Sequence, residues 1–244
     1  MRLDVYQTDA DAFEAAADRA VARMREAAAS GPVTVALSGG RSGRGIMLAL
    51  AARSDAPWDR IEWFWADERC VAADDPRSNV RVARDSMLGP RGITAARIHP
   101  PPVDVGDAEQ VARAYAATIG ELVRPAFDLV LLGVGVDGHV ASLMPGGAAL
   151  RAAAPVAGVP ATEVATEPRV ARVTITPPLL QVARLVIVAV TGAEKAPAVG
   201  RILRGPLDPP RTPAQLVRPG TTVEWFVDRD AAGELLRDAR AAPQ

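Results

Sequence analysis

Short, almost wholly apolar runs alternate along this chain with longer stretches whose apolar residues recur every three or four positions. That is the pattern of strands buried on both faces, separated by amphipathic helices. Residues 33–37, 61–65, 127–132 and 185–190 are the clearest strands, and only Glu62 and Asp128 bring a charge into them. Residues 170–175 alternate as a further strand, and residues 222–227 read as the last one. Asp9 or Asp11 is placed to cap a helix reaching about Ala29, with Phe13, Ala17, Ala20, Val21 and Met24 on one face and Gly31-Pro32 at its end. Further helices are predicted over 46–52, from Ser78 to the stop at Gly89-Pro90, and over 107–123, where Val111, Ala114, Tyr115, Thr118, Ile119 and Leu122 form the buried stripe. Pro177-Pro178 opens a short helix, and the tail from Asp230 reads as a helix that frays toward Gln244. Prolines and threonines leave the stretch after Gly147 irregular up to about residue 169, and residues 205–213 form a proline-rich connection.

Strands separated by helices give at least five βα-type units, and no composition break is long enough for an interdomain linker. The expectation is one α/β domain over residues 1–244, a doubly wound, mostly parallel, Rossmann-like sheet with helices on both faces. With right-handed connections, the loops after Leu37, Trp65, Leu132 and Val190 all emerge at the C-terminal edge of the sheet, where open α/β sheets bind ligands.

Composition narrows the chemistry. With 28 basic and 29 acidic residues the net charge is −1, so no global field recruits nucleic acid or a membrane surface. One cysteine, Cys70, and two histidines leave no disulfide framework and little material for a metal cluster, and no metal is expected. The N-terminus MRLDVYQTDADAF has acids where a signal peptide needs an apolar core, and no stretch approaches a membrane span, so a cytoplasmic protein is expected.

The richest of the four loops follows residues 127–132, in the stretch FDLVLLGVGVDGHVASLMPG. Its glycines let the backbone approach a ligand, and the turn presents Asp137 and His139 at a strand end. Gly133, Gly135 and Gly138 also satisfy GxGxxG, but that fingerprint needs a helix directly after the third glycine. Here HVASLM runs into Pro145-Gly146-Gly147, and no nucleotide cofactor is expected. After Leu37, the stretch Ser38-Gly39-Gly40-Arg41-Ser42-Gly43-Arg44-Gly45 precedes an apolar helix. A strand, a glycine loop and a helix N-terminus in succession suit a phosphate, with Ser38, Arg41, Ser42 and Arg44 as additional donors. No Gly-Lys-Ser/Thr is present, so this is not a Walker loop. After Trp65 come Asp67, Glu68 and Arg69, in which Arg69 suits a bidentate grip on an oxyanion and Asp67 or Glu68 suits holding it in place. Cys70, with apolar neighbours Val71 and Ala72, reads as a packing residue, and His99, before three prolines, as structural. Lys195, at the start of a helix after Val190, is a point charge for a phosphate.

Those four loops resemble the 6-phosphogluconolactonases of the larger sugar-phosphate isomerase/deaminase-like group. The resemblance runs through Ser38-Gly39-Gly40, through Asp67 to Cys70 with Ser78-Asn79 following, through Gly135 to Ser142, and through Thr191 to Lys195, in the family's order and over most of the chain. It implies a sugar-phosphate isomerase type of fold and hydrolysis of 6-phospho-D-glucono-1,5-lactone without a cofactor. It also implies a phosphosugar-lactone ligand held by Arg69, Lys195 and the Ser38 loop, with Gly135 and Gly138 in the substrate surface and His139 as general base. A neutral imidazole suits that role, since it can take a proton from water attacking a carbonyl. Asp137 either orients the imidazole or binds sugar hydroxyls, and the oxyanion is met by glycine-loop N–H groups or an arginine. Two departures stand out: Arg41-Ser42 replaces the usual Ser-Thr after Ser-Gly-Gly, and Val136 and Val140 replace Pro and Thr around Asp-Gly-His. The deaminase branch resembles this chain at Asp-Gly-His but carries a glutamate five residues after the histidine, where this chain has Met144. A sugar-phosphate sensor that binds without turnover is the remaining alternative. A monomer or weak homodimer is expected, with no nucleic-acid or membrane partner.

Overall fold

Alternate residues of each apolar run divide between two cores. Val33, Val35 and Leu37 face one side of a parallel sheet and Ala36 the other, while Leu129 and Leu131 are separated in the same way from Val130 and Leu132. This two-residue period, with both faces covered, explains why the runs are nearly uninterrupted. Each fully buried Val, Leu or Ile contributes about 1.5–3 kcal/mol. The structure, a computed structural model, describes residues 2–218, 222–233 and 235.

Along the described chain the elements run β1 (Arg2–Tyr6), α1 (Asp9–Ala28), β2 (Val33–Leu37), α2 (Gly40–Ala51), β3 (Ile61–Trp65), β4 (Asp67–Arg69), α3 (Asn79–Ala83), α4 (Ala108–Leu122), β5 (Leu129–Leu132), β6 (Val156–Val159), β7 (Arg172–Ile175), α5 (Pro177–Gln181), β8 (Val186–Val190), α6 (Ala196–Arg204) and β9 (Val223–Asp228). Among the described residues the main sheet has the order β1-β9-β8-β5-β2-β3, and every pairing in it is parallel. The chain moves outward from β2 to β3 in one direction and from β5 through β8 to β9 in the other. The order therefore reverses between β2 and β5, and a crevice opens at their C-terminal ends. Helices α1 and α2 pack together on one face, and α4 covers β6 and β7 on the other.

Several expectations are corrected. The strand predicted over residues 170–175 is β7, which lies outside the parallel sheet, in a separate antiparallel sheet of order β4-β7-β6. Residues 67–69, read as loop, are β4 in that sheet, and the stretch after Gly147, read as irregular, contains β6. The N-terminal RLDVY, read only for what it excluded, forms β1 at the sheet edge against β9. Thr8, rather than Asp9 or Asp11, caps α1: its Oγ1 accepts from Asp11 N–H at 3.1 Å while Asp11 Oδ2 accepts from Thr8 N–H at 3.1 Å. Helix α2 begins at Gly40 rather than Ile46. Gly43 sits against the Ser38 carbonyl, where a Cβ would overlap it, so tertiary closeness outweighs glycine's low helix propensity. The tail helix expected beyond Asp230 lies almost wholly outside the described residues. No helix among the described residues is long and apolar enough to cross a membrane.

Candidate active site

A cleft of about 300 Å³ occupies the sheet edge at the β2/β5 reversal. Ser38, Gly39, Gly40, Arg41 and Ser42 from the β2–α2 junction line it, with Gly135 and His139 from the loop after β5 and Lys195 from the loop after β8. Asp67 and Arg69 of β4 line it as well, and Arg172 of β7 joins them.

Because α2 starts at Gly40, Arg41 and Ser42 lie in its first turn, where the N–H groups have no intrahelical partner. Gly39 at the N-cap supplies no side-chain hydrogen bond, so this helix end keeps its donors and positive dipole for the cleft. Arg41 reaches across to the loop after β8, donating from Nη2 to the Thr191 carbonyl at 2.5 Å and approaching Glu194 at 3.4 Å. Arg44 is exposed and does not line the cleft, contrary to its expected part as a donor.

The three consecutive charges of β4 part by strand alternation. Asp67 and Arg69 pair with Thr174 and Arg172 across the small sheet, while Glu68 points to the opposite face. There Glu68 caps α3, accepting from Asn79 N–H at 2.8 Å, Val80 N–H at 2.7 Å and Ser78 Oγ at 3.1 Å. Its carboxyl is pushed up by burial, which the backbone N–H groups of Asn79, Arg69 and Val80 oppose. Glu68 therefore meets the Arg69 backbone N–H, at 2.6 Å, rather than its guanidinium, and Asp67 does not hold that guanidinium either. Both Asp67 oxygens are taken, one by Ser38 Oγ at 2.9 Å and the other by Ser142 Oγ at 2.8 Å. Arg69 donates from Nη1 to the Arg77 carbonyl at 2.5 Å.

In the loop after β5, His139 Nδ1 meets Asp137 Oδ1 at 2.6 Å, and the His139 backbone N–H donates to the same oxygen at 3.1 Å. Gly135 makes the pair possible, since a Cβ there would overlap the imidazole. Burial alone would raise the Asp137 carboxyl, but hydrogen bonding and attraction from His139 outweigh it and hold it below the usual carboxylate range. An ionised Asp137 can only accept, so Nδ1 donates to it and Nε2 is the nitrogen left with a lone pair. Asp137 does not line the cleft, which favours orienting the imidazole over binding sugar hydroxyls. Gly138, expected on the substrate surface, is also absent from the lining; its N–H is spent on the Gly135 carbonyl at 3.0 Å.

Lys195 is half-buried, and burial lowers its pKa, with Glu194 opposing the shift and Arg41 adding to it. Arg172 is buried and likewise lowered by burial and by Arg69, against the pull of Asp67. Sequence reasoning missed Arg172, along with Thr166 and Glu167, which also line the cleft. The available signal was an arginine in register with Thr174 and Thr176 on the polar side of an alternating strand. Burial pushes the Cys70 thiol up to about 11, as expected of a packing residue. His99 bonds Glu62 at 2.7 Å and stacks on Phe64, away from the cleft.

Together the fold and the cleft define an α/β protein that gathers several cationic side chains and an imidazole bonded to a carboxylate at one sheet edge. The model of the Glucosamine-6-phosphate isomerases/6-phosphogluconolactonase family matches residues 7–225, and the chain belongs to that family. It is 40% identical over 213 residues to a 6-phosphogluconolactonase of Synechocystis sp., covering 85% of this chain and 86% of that protein. Against one of Streptomyces coelicolor it is 36% identical over 240 residues, covering 92% and 90%. The solved 6-phosphogluconolactonase from Trypanosoma brucei superposes with a TM-score of 0.85 at 28% identity, covering 96% of this chain and 98% of that one. A monomeric glucosamine-6-phosphate deaminase superposes at 0.81 with 20% identity, a likeness of fold alone.

Proposed function

We propose that this chain is an enzyme that hydrolyses 6-phospho-D-glucono-1,5-lactone to 6-phosphogluconate, the lactone-opening step of the oxidative pentose phosphate pathway. The observation that carries the mechanism is the His139–Asp137 pair at the cleft, with Nδ1 held at 2.6 Å, so that Nε2 is the ring nitrogen that remains to take a proton.

In this reading the substrate phosphate lies against the α2 N-terminus, with Arg41, Arg69, Arg172 and Lys195 supplying positive charge. A water beside His139 attacks C1 of the lactone while Nε2 takes its proton, and the new C–O bond leaves a tetrahedral oxyanion. Asp137 stabilises the imidazolium formed in that step. The C1–ring oxygen bond then breaks, and the ring oxygen takes the proton back from Nε2. No covalent intermediate is needed, because water reaches C1 directly. Cleft-facing N–H groups of the glycine loops, or an arginine, meet the oxyanion.

The deaminase chemistry of the same family is disfavoured by Met144, which stands where that branch has an acid/base glutamate and is buried in the core. A thioether in such a place transfers no proton. The test generates the lactone in situ at neutral pH and follows its decay against the spontaneous rate, alongside unphosphorylated gluconolactone. Turnover of the phosphorylated lactone with at least about tenfold lower kcat/KM for the other is expected, given the worth of one charge-assisted contact. A rate equal to background, with 6-phosphogluconate still bound, would replace the enzyme reading with that of a sensor.

A further inference from the structure

The residue Asp67 is only 4% exposed although it borders the cleft, and both its carboxylate oxygens are spent on protein hydroxyls. Those hydroxyls belong to two different working loops. Ser38 follows β2 directly and begins the turn into the α2 N-terminus, and Ser142 lies three residues beyond His139. Asp67 is itself fixed from a third direction. It is the first residue of β4, paired with Thr174 of β7, and its carbonyl accepts from Asn79 Nδ2 at 2.8 Å. A buried carboxylate bonded on both oxygens resists displacement, because withdrawing either hydroxyl leaves part of its charge unpaired.

The Ser142 side of this arrangement carries local strain. Ala141 is a non-glycine residue with φ +50°, a conformation that costs on the order of 1 kcal/mol and persists only where neighbouring contacts hold it. The contacts next to it are those of Ser142, whose N–H donates to Thr174 Oγ1 at 3.1 Å and whose Oγ donates to Asp67. Arg172 stands 3.5 Å from Ser142 Oγ and donates to the Pro168 carbonyl at 3.0 Å, joining the segment of Thr166 and Glu167 to the same cluster. The strained turn sets the exit of the His139 loop, so whatever fixes Ser142 also fixes the imidazole.

We propose that Asp67 is a positioning residue that locks the phosphate-binding turn at Ser38 to the His139 loop through Ser142, so that anion binding and base placement are set by one buried carboxylate. The inference rests on the lactonase reading and deepens it: the alignment of phosphate and lactone carbonyl within one small substrate depends on the spacing of those two loops. A misplacement of about 1 Å between such groups costs on the order of 100-fold in rate.

The test is a set of double-mutant cycles on lactone hydrolysis, with melting temperature recorded for every variant. Ser38→Ala is expected to raise KM about tenfold with little change in kcat, and Ser142→Ala to lower kcat about tenfold with little change in KM, each losing one hydrogen bond to a charged group. Asp67→Ala is expected to do both, and adding either serine substitution to it changes the remaining rate less than about twofold, since the partner is already gone. Serine effects that persist in full in the Asp67→Ala background would overturn the proposal. Asp67→Asn keeps the shape and one acceptor in case the alanine variant does not fold. A fall of about tenfold in kcat/KM at nearly unchanged melting temperature is expected from it, and a lowered melting temperature with unchanged kcat/KM would mark Asp67 as merely structural. If wild type shows no turnover, the lactonase reading fails by itself. The lock is then judged on 6-phosphogluconate affinity, where Ser38→Ala and Asp67→Ala must be non-additive.

Discussion

Replacing Asp137 by Asn tests how the imidazole is activated. In the native pair, Oδ1 accepts both from His139 Nδ1 at 2.6 Å and from the His139 backbone N–H at 3.1 Å. The backbone N–H faces the same atom, so the asparagine amide keeps its oxygen there and turns its NH2 to the Oδ2 position, which is buried without a partner. The tautomer of His139 is then retained, with Nε2 still free, and what is lost is the negative charge that stabilises the imidazolium. A hydrogen bond to a charged group is worth about 1.5–3 kcal/mol against about 1 for a neutral one. The difference, about 0.5–2 kcal/mol, corresponds to a fall of roughly 2- to 30-fold in kcat, with KM within about threefold. Asp137 is held below the usual carboxylate range in the folded state, so its contribution to stability is full above that range and is lost as pH falls through its own lowered value. The variant lacks this component and its melting temperature depends less on acid pH. Steady-state hydrolysis from pH 5 to 9 provides the assay. A kcat within twofold of wild type would refute the argument that the carboxylate charge contributes to proton transfer.

Gly135→Ala pushes a methyl group into the imidazole of His139, and a fall in kcat of at least about tenfold is expected, with a smaller proportional effect on melting temperature; unchanged kcat would mean that the ring does not work from this position. Glu68→Gln leaves one N–H of the α3 cap facing an NH2 group, which costs about 1–3 kcal/mol and lowers the melting temperature by about 2–10 °C. An unchanged or raised melting temperature would contradict the capping role. Burial lowers the pKa of Lys195, so its charge is lost on the alkaline side earlier than for an exposed lysine, and KM rises there; Lys195→Arg, charged throughout, removes that rise. A KM flat with pH in both proteins would exclude Lys195 from anion binding.

The four site loops were legible because each follows a strand buried on both faces, and an uninterrupted apolar run is a signal that local sequence carries by itself. β1 and β6 were not legible: Asp4 interrupts the first and Gly158 the second, and each becomes a strand only through its partner, β9 or β7. The start of α2 was hidden for a related reason, since Gly43 favours helix only where the Ser38 carbonyl presses against it. Within the site, the sequence pointed to His139 and Asp137 together because two residues of one turn are near each other in any fold. It could not show that Asp67 meets Ser142, 75 positions away, and so offered that carboxylate as a holder of Arg69 when protein hydroxyls occupy it. Arg172 escaped because alternation marks strands without saying which side of them faces a cleft.

The most direct measurement compares the initial rate of 6-phosphogluconolactone loss for wild type and His139→Ala, with 6-phosphogluconate affinity determined for both. If His139 activates the attacking water, wild type runs well above the spontaneous rate, and the variant falls by about 10²–10⁴ while binding the product within a few-fold of wild type. A variant that binds the product equally well and still hydrolyses the lactone at the wild-type rate would contradict the assignment of His139 as the base.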